Sequence, residues 1–544
     1  MKVGLITLNA KFIHVALNLR YLRNAARNAG FVNTWIAEYT IDQPTWKIAA
    51  DIQSRKPDVV GVGIYIWNRI QSFQLIEILQ KQSPELSIVV GGPEVSFEPE
   101  IVSGYTIIGG EGESKWVEFL KYRQSGETPP IEVLEQWKAY GNTTPDLIPP
   151  YIDEDFKDLE NRMAYIETSR GCPYLCSFCL SALDKTVRYF DVDLLRKQID
   201  RLTDCGVKTV KFIDRTFNIQ GKRMIDWMRW LTRFEDVSFH FEVVGDLLSN
   251  EVLDFLETVP PGRFQFEIGV QTTDDQGQSV IRRKQNNKKL FETIRRIAKQ
   301  NKIHLHCDLI FGLPGETKQD CLRSFTEVFQ LKPHELQLGF LKFLPGAPIR
   351  DKIKPCGYQY QSYPPYEVVA HKDLSAEDII YLKQFAETFK RFYNSKRFRF
   401  STANLLQHYS PLELYDQLLK HMESKNLLNR HLSLDNIYRE FYEAFKISDD
   451  PFAMDLLRLD YLYRQKTFRL PPFMRNPIDK QNRGGKLKAW SGDKKSLLFP
   501  FVHTIEITDG KAVLKPSLER VYYAFINAKQ GYITEPLLVR ETDL

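Results

Sequence analysis

Residues 164–179 read AYIETSRGCPYLCSFC, an apolar run that passes straight into three closely spaced cysteines. The run is short and carries Tyr, Ile and Thr, the pattern of a buried strand. Working outward, similar runs recur at residues 209–214 (TVKFID), 239–244 (FHFEVV), 264–271 (FQFEIGVQ), 304–312 (HLHCDLIFG) and 335–343 (ELQLGFLKF), each preceded by a helix-like stretch. Six strands alternating with helices are expected to lie parallel and to form a partial β/α barrel over residues 161–350. Chemistry collects at the C-terminal ends of such strands, so Cys172, Cys176 and Cys179 are expected at the barrel mouth.

Three thiolates at the spacing CxxxCxxC can bind three irons of a cubane and leave the fourth without a protein ligand. A structural zinc site would want four closed ligands, and no nearby His or Cys supplies a fourth at a finger spacing. The segment Thr168–Cys179 resembles the radical S-adenosylmethionine (SAM) superfamily, including the aromatic Phe178 before the third cysteine. The resemblance implies a 4Fe-4S cluster on Cys172, Cys176 and Cys179 whose open iron chelates the amino and carboxylate groups of SAM. It also implies reductive cleavage to a 5'-deoxyadenosyl radical, fed by a low-potential electron donor such as a flavodoxin or ferredoxin. By their place in the barrel, Phe178, Asp214, Asn218, Glu242, Gln271, Arg283 and Gly312 are the implied SAM contacts. A buried strand-end carboxylate can also pair with a neighbouring cation for purely structural reasons, and Arg283, beside Arg282 and Lys284, can belong to a solvated helix face. Cys205, Cys307, Cys321 and Cys356 show no ligand spacing, and no second cluster is assigned to them.

Residues 1–125 alternate in the same way: VGLITL (3–8), WIAEYT (35–40), DVVGVGIYI (58–66), SIVVGG (87–92) and YTIIGG (105–110) are separated by helical stretches. This predicts an α/β, doubly wound parallel-sheet domain of Rossmann-like form. A GxGxxG dinucleotide fingerprint is missing after the first strand. The runs GVGIYIWN, IVVGGPEVSFEPE and IIGGEGE resemble the N-terminal domain of cobalamin (B12)-binding radical SAM proteins. The implied cobalamin contacts are Gly63, Tyr65, Trp67, Gly91, Gly92, Ser96, Gly109 and Gly110. Glycines there let backbone approach a flat corrinoid where a Cβ would intrude, although any doubly wound sheet carries some glycine at its strand ends. The DxHxxG motif that presents a histidine to cobalt is missing. His14 lacks the Asp and Gly partners and is read as a non-ligand, which leaves Tyr65, Ile66 or Trp67 to face the lower side of the corrinoid.

Residues 126–160, with Pro129, Pro130, Pro145, Pro149 and Pro150, read as a linker. Residues 351–544 read as a mostly helical α+β domain and resemble a subgroup with an uncharacterised, DUF4080-like C-terminal domain. In it, Phe389–Phe400 (FKRFYNSKRFRF) is either a basic-aromatic nucleic-acid surface or a helix whose aromatics pack inward. Lys480–Lys495 reads as a surface loop able to close over a substrate, and residues 496–514 (SLLFPFVHTIEITDGKAVL) as strands around an Asp509-Gly510 turn.

With 544 residues the chain is long enough for about three to four units. The formal charge of +5, from 74 basic and 69 acidic side chains, does not point to nucleic acid as a partner. No run approaches membrane-spanning length and no secretory leader is evident, so the expected address is the cytoplasm, where seven cysteines would stay reduced. The leading expectation is a cobalamin-dependent radical SAM enzyme, most simply a methyltransferase acting on an unactivated carbon. The alternatives are radical rearrangement or cyclisation without methyl transfer, and, from another class, an RNA-binding or scaffold protein with a structural metal.

Overall fold

The computed structural model describes residues 1–98, 104–141, 149–464 and 470–475, and beyond these the backbone of residues 497–508, 511–525, 527–528, 531–532 and 537–540. It divides into two compact units, Met1–Ile379 and Ile380–Leu544.

The first unit opens with five strands, β1 (Val3–Asn9), β2 (Thr34–Thr40), β3 (Val59–Gly63), β4 (Ser87–Gly91) and β5 (Thr106–Ile108). They form one parallel sheet in the order β2-β1-β3-β4-β5. The doubly wound expectation is met: the central strands are buried on both faces, and each face of the sheet is covered by helices. Helices α1 (Leu17–Asn28) and α5 (Glu113–Ser125) bury Leu19, Ala26, Trp116 and Phe119 on one side. Helices α2 (Thr45–Ser54) and α3 (Arg69–Gln82) bury Ile48, Ile52, Leu75 and Leu79 on the other, while α4 (Pro93–Ser96) is one turn after β4. The register Thr7↔Gly63↔Gly91↔Ile108 brings four strand ends to one edge.

The stretch read as a linker is more ordered than its prolines suggest. Helix α6 (Ile131–Lys138) starts directly after Pro130, and Trp137 and Tyr151 are fully buried. Proline fixes the backbone at a helix start without costing a hydrogen bond, so here it marks a boundary rather than a break. Pro145 lies outside the described residues.

The barrel strands are β6 (Met163–Ile166), the short antiparallel pair β7 (Ser169–Arg170) and β8 (Arg188–Tyr189), then β9 (Thr209–Phe212), β10 (Ser238–Val243), β11 (Phe264–Gln271), β12 (His304–Phe311) and β13 (Glu335–Phe340). Six of them form a parallel sheet in the order β13-β12-β11-β10-β9-β6. Phe212, Phe239, Phe241, Phe264 and Phe266 are buried as one contiguous set of rings, while alternate positions such as Lys211, Glu267 and Asp308 point the other way and are only half-buried. That alternation gives one face to hydrophobic packing and leaves the opposite face for chemistry.

Residues 351–379 belong to the first unit. Within them β14 (Gln359–Tyr360) pairs with β15 (Val368–Ala370), Val368 N donates to the Leu341 carbonyl at 3.0 Å, and Tyr358 Oη donates to the Gly312 carbonyl at 2.9 Å.

The second unit is helical at first, with helices Arg399–Leu405, Pro411–Ser424, Leu434–Ala444 and Pro451–Arg464. Phe389, Phe392, Phe398 and Phe400 are buried, and Phe398 stacks on Phe441 at 4.2 Å, so the aromatics of the basic tract serve packing. The tract is not one helix: a π turn at Lys390–Asn394 interrupts it. Strands β16 (Leu497–Thr508) and β17 (Lys511–Phe525) pair antiparallel with Thr508 opposite Lys511. The expected Asp509-Gly510 turn and the loop 480–495 lie outside the described residues. Short strands β18 (Asn527–Ala528), β19 (Gly531–Tyr532) and β20 (Leu537–Arg540) follow. No helix among the described residues is long and apolar enough to cross a membrane.

Candidate functional site

The cysteine loop leaves β7 at Gly171, whose φ is +90° and whose Cβ, if present, would lie 2.1 Å from the Thr186 carbonyl. Only glycine fits there. Backbone bonds then set the loop: Cys172 N donates to the Asp184 carbonyl (2.9 Å), Cys179 N to that of Cys176 (3.0 Å) and Ser177 N to that of Ile281 (2.8 Å). Cys172 and Cys176 are each 7% exposed, and all three thiols line one cavity of about 210 Å³. Among the described residues, their Sγ atoms do not form a set lying wholly within 4.8 Å of one another, as ligands of one shared ion would. Three thiols around a common space fit a polynuclear cluster with one open corner better than a closed tetrahedral ion.

Phe178, Glu242, Gln271 and Arg283 line this cavity. Arg283 Nη1 stands 3.8 Å from Cys176 Sγ, and the same guanidinium donates to the Gly269 carbonyl and, at 2.9 Å, to Gln285 Oε1. Burial pushes the Cys176 thiol up, and the Arg283 charge opposes that shift. Gln271 occupies the left-handed region at φ +68°, just past a bulge in β11. Its side-chain amide folds back over Gly269, where a Cβ would lie 2.1 Å from Nε2. A strained residue at a strand end that lines a cavity is a mark of function.

Asp214, Asn218 and Gly312, expected as SAM contacts, do not line the cavity. Asp214 accepts from Thr168 N (2.9 Å), Thr168 Oγ1 (2.7 Å) and Ser169 Oγ (2.6 Å), and so braces the strand that feeds the cysteine loop. Asn218 bonds both backbone groups of Val244 (2.8 and 2.9 Å), which fixes the end of β10. Gly312, at φ +86°, gives its space to Val368. Sequence reading missed Arg215, Thr216, Glu267 and Asp308, all in the cavity wall. Charged residues at alternate positions of otherwise apolar strands were the available signal for Glu267 and Asp308. Burial would raise the Glu267 carboxyl, but His240 at 3.0 Å and Lys211 at 3.0 Å hold it down at about 2. Glu242 has looser partners, Lys211 at 3.8 Å and Arg215 at 3.9 Å, and burial pushes it up.

A second cavity, about 450 Å³, lies over the aligned strand ends of the N-terminal sheet and is closed by the barrel segments around Glu167–Gly171 and Leu180–Asp184. Gly63, Tyr65, Gly91, Gly92, Ser96 and Gly110, six of the residues named as implied cobalamin contacts, line it together with Gly61 and the apolar walls Leu5, Leu17 and Trp116. A Cβ at Gly63 would meet only Thr7 and Tyr65 atoms at 3.4–3.5 Å, so the wall there is backbone by choice of residue rather than by crowding. A deep slot between sheet and helices with a glycine rim fits a corrinoid and its nucleotide tail. Gly109 and Trp67 do not line it. Gly109 is packed beneath the Lys138 carbonyl, and Trp67, 47% exposed, stacks on Tyr65 at 4.6 Å with its Nε1 on the Leu8 carbonyl. His14 is engaged elsewhere, with Nδ1 2.7 Å from Tyr165 Oη.

The two cavities share two residues, Ser181 and Arg215. Around the joint, Arg170 pairs with Glu167 (2.9 Å) and Glu113 (2.8 Å), and Arg188 with Glu111 and Asp184. Burial pushes the Glu167 carboxyl up to about 7 against the pull of Arg170.

Residues 3–120 match the model of the B12 binding domain and residues 166–328 that of the radical SAM superfamily. The chain thus carries, in this order, a segment that matches the B12 binding domain and one that matches the radical SAM superfamily. Residues 355–530 match a protein family of unknown function, DUF4080. The chain is similar to the 2-(S-pantetheinyl)-carbapenam-3-carboxylate methyltransferase of Streptantibioticus cattleyicolor, 25% identical over 346 residues, covering 57% of this chain and 50% of that one. It is 26% identical over 365 residues to the cobalamin-dependent radical SAM methyltransferase TokK of Streptomyces tokunonensis, covering 59% of this chain and 53% of that one. It thus spans about half the length of these curated relatives. In fold, the chain resembles the radical SAM methyltransferase TsrM of Kitasatospora setae, solved with cobalamin and a [4Fe-4S] cluster bound (TM-score 0.55, 17% identity, 68% of this chain and 82% of that one). It also resembles the cobalamin-dependent radical enzyme OxsB (TM-score 0.58, 15% identity, 84% and 79%).

Proposed function

We propose that this chain is a cobalamin-dependent radical SAM methyltransferase acting on an unactivated carbon of a small molecule. The observation that carries the reading is the joint at Ser181 and Arg215, where a thiol-lined cavity opens beside a glycine-rimmed one. Cys172, Cys176 and Cys179 would hold the cluster. Phe178, Glu242, Gln271 and Arg283 would orient SAM at the open corner. Gly63, Tyr65, Gly91, Gly92, Ser96 and Gly110 would seat the corrinoid. When bound, the cluster and SAM supply the 5'-deoxyadenosyl radical and cobalamin carries the methyl group; the protein supplies positioning and shielding.

Arg283 sets positive charge against the Cys176 thiolate and can pair with a carboxylate in the same space. Asp214 and Asn218 keep the loops that carry the cysteines, Arg215 and Thr216 in place. Arg170 and Arg188 pin the first domain over the barrel mouth, which keeps water from the joint. The reading requires a low-potential one-electron donor.

Cys176→Ala should lose the broad visible absorption of the cluster and all reductive SAM cleavage after anaerobic reconstitution, yet retain stoichiometric corrinoid. Cleavage surviving in that variant would overturn the cluster assignment. Label from the SAM methyl group should appear in the product; deoxyadenosine formed with an unlabelled rearranged product would replace methyl transfer with isomerisation.

A further inference from the structure

Among the described residues, Ser181 and Arg215 alone border both cavities. A carbon that is to meet a radical from one side and a methyl donor from the other has to sit where the cavities join. The groups that can touch it there are a hydroxyl and a guanidinium.

The cations around this joint are not equally satisfied. Arg170 is met by Glu167 and Glu113, and Arg188 by Glu111 and Asp184, so each of these guanidiniums has two carboxylates within 2.9 Å. Among the described residues, Arg215 has a single carboxylate, that of Glu242, 3.9 Å from Nη1. Glu242 is shared with Lys211 at 3.8 Å, and both contacts are too long for a hydrogen bond. The Arg215 side chain is 60% exposed, yet the backbone that carries it is fixed. Asp214 before it is buried and accepts from Thr168 and Ser169, and Phe217 N after it donates to the Glu242 carbonyl at 2.9 Å. Tyr140, in the wall of the second cavity, stands near enough to feel the same charge: burial pushes its phenol up, with Asp184 and Glu111, and Arg188 and Arg215 oppose that shift. A guanidinium on a fixed loop with no close anion is a ready fork for a pair of carboxylate or phosphate oxygens.

We propose that Arg215, with Ser181 and Tyr140, docks an acid group of the substrate, so that the molecule methylated here carries a carboxylate or a phosphate close to the carbon that reacts. This rests on the function proposed above and narrows it from any small molecule to an anionic one. Arg283 already offers a cation at the thiol end of the first cavity, where the SAM carboxylate would lie, which leaves Arg215 for a different anion.

The probes are sodium succinate, inorganic phosphate and, as the uncharged control, succinamide. Each is titrated calorimetrically, at low ionic strength, into anaerobic protein loaded with oxidised cluster, SAM and hydroxocobalamin. One anion should bind per chain, succinate more tightly if the group is a carboxylate and phosphate more tightly if it is a phosphate monoester, while succinamide gives no saturable heat. Arg215→Gln should bind that anion at least about tenfold more weakly. Arg215→Lys, which keeps the charge and loses the fork, should fall between the two. Cluster and corrinoid per chain should match in all three proteins. Equal affinity in parent and Arg215→Gln, saturable binding of succinamide, or loss of corrinoid from Arg215→Gln would each overturn the assignment. A loaded parent that binds neither anion would overturn it as well and leave the function reading standing. A parent that takes up neither cluster nor corrinoid would overturn both together.

Discussion

At the scale of single residues, Gln271 and Glu316 make sharp predictions. Gln271 holds a left-handed backbone that costs a non-glycine residue roughly 1 kcal/mol. Gln271→Gly should therefore raise the unfolding midpoint while weakening SAM binding about tenfold, a trade of strain for function. Calorimetry and SAM titration on the same preparation would check it, and a stability loss alongside intact SAM affinity would contradict the role. Glu316 is 2% exposed, accepts from Thr272 Oγ1, and is pushed by burial up from 4.5 to about 7. A carboxyl whose folded value is raised gives its full stabilisation below its unfolded value and loses it as pH climbs through the folded one. The parent should thus lose thermal stability between about pH 5 and pH 7 relative to Glu316→Gln. Parallel melting curves for the two proteins would refute this.

At the scale of elements, the strand ends matter more than the strands. Gly63 has room for a methyl group, whereas a longer side chain would project into the second cavity. Gly63→Ala should keep its corrinoid, while Gly63→Leu should fold, assemble its cluster and bind corrinoid at least tenfold more weakly, read as corrinoid and iron per chain. Both sheets were legible because buried parallel strands are short apolar runs bounded by helices, and the cysteine spacing placed the loop at once. Other parts were not. Helix α6 hides behind Pro130 in a stretch whose composition signals turns, and Trp137 is recruited to the core by Glu118, whose Oε2 accepts its Nε1 at 2.7 Å. Arg215 and Ser181 both line the joint although they are 34 positions apart, Ser181 in a 3-10 turn after the cysteines and Arg215 after β9, and local periodicity carries no record of such a placement. Asp214 and Asn218 had the right address for ligand contacts, yet their hydrogen bonds are spent on backbone and hydroxyl neighbours.

At the scale of the whole molecule, buried ion pairs tie the first domain to the barrel and to the segment that leads into it. Arg162 at the root of β6 reaches Glu38 at 2.9 Å and donates to the carbonyls of Phe12 and His14, and Arg23 pairs with Asp155 at 2.7 Å. The Glu38 carboxyl is held at about 2 by Arg20 and Arg162 despite its burial. Removing one partner of such a group costs about 3 kcal/mol. Arg162→Ala should therefore lower the melting temperature and split a single calorimetric transition of residues 1–379 into two; one unshifted transition would count against a structural role for this tie. The packing of residues 351–379 on the barrel has a practical outcome for anyone trimming the gene. A product stopped at residue 350 would strip the Leu341 and Gly312 carbonyls of their donors and bare the apolar bed under Val368, inviting aggregation in the host cell. A shortened version meant to assemble both cofactor domains needs to run past Ile379.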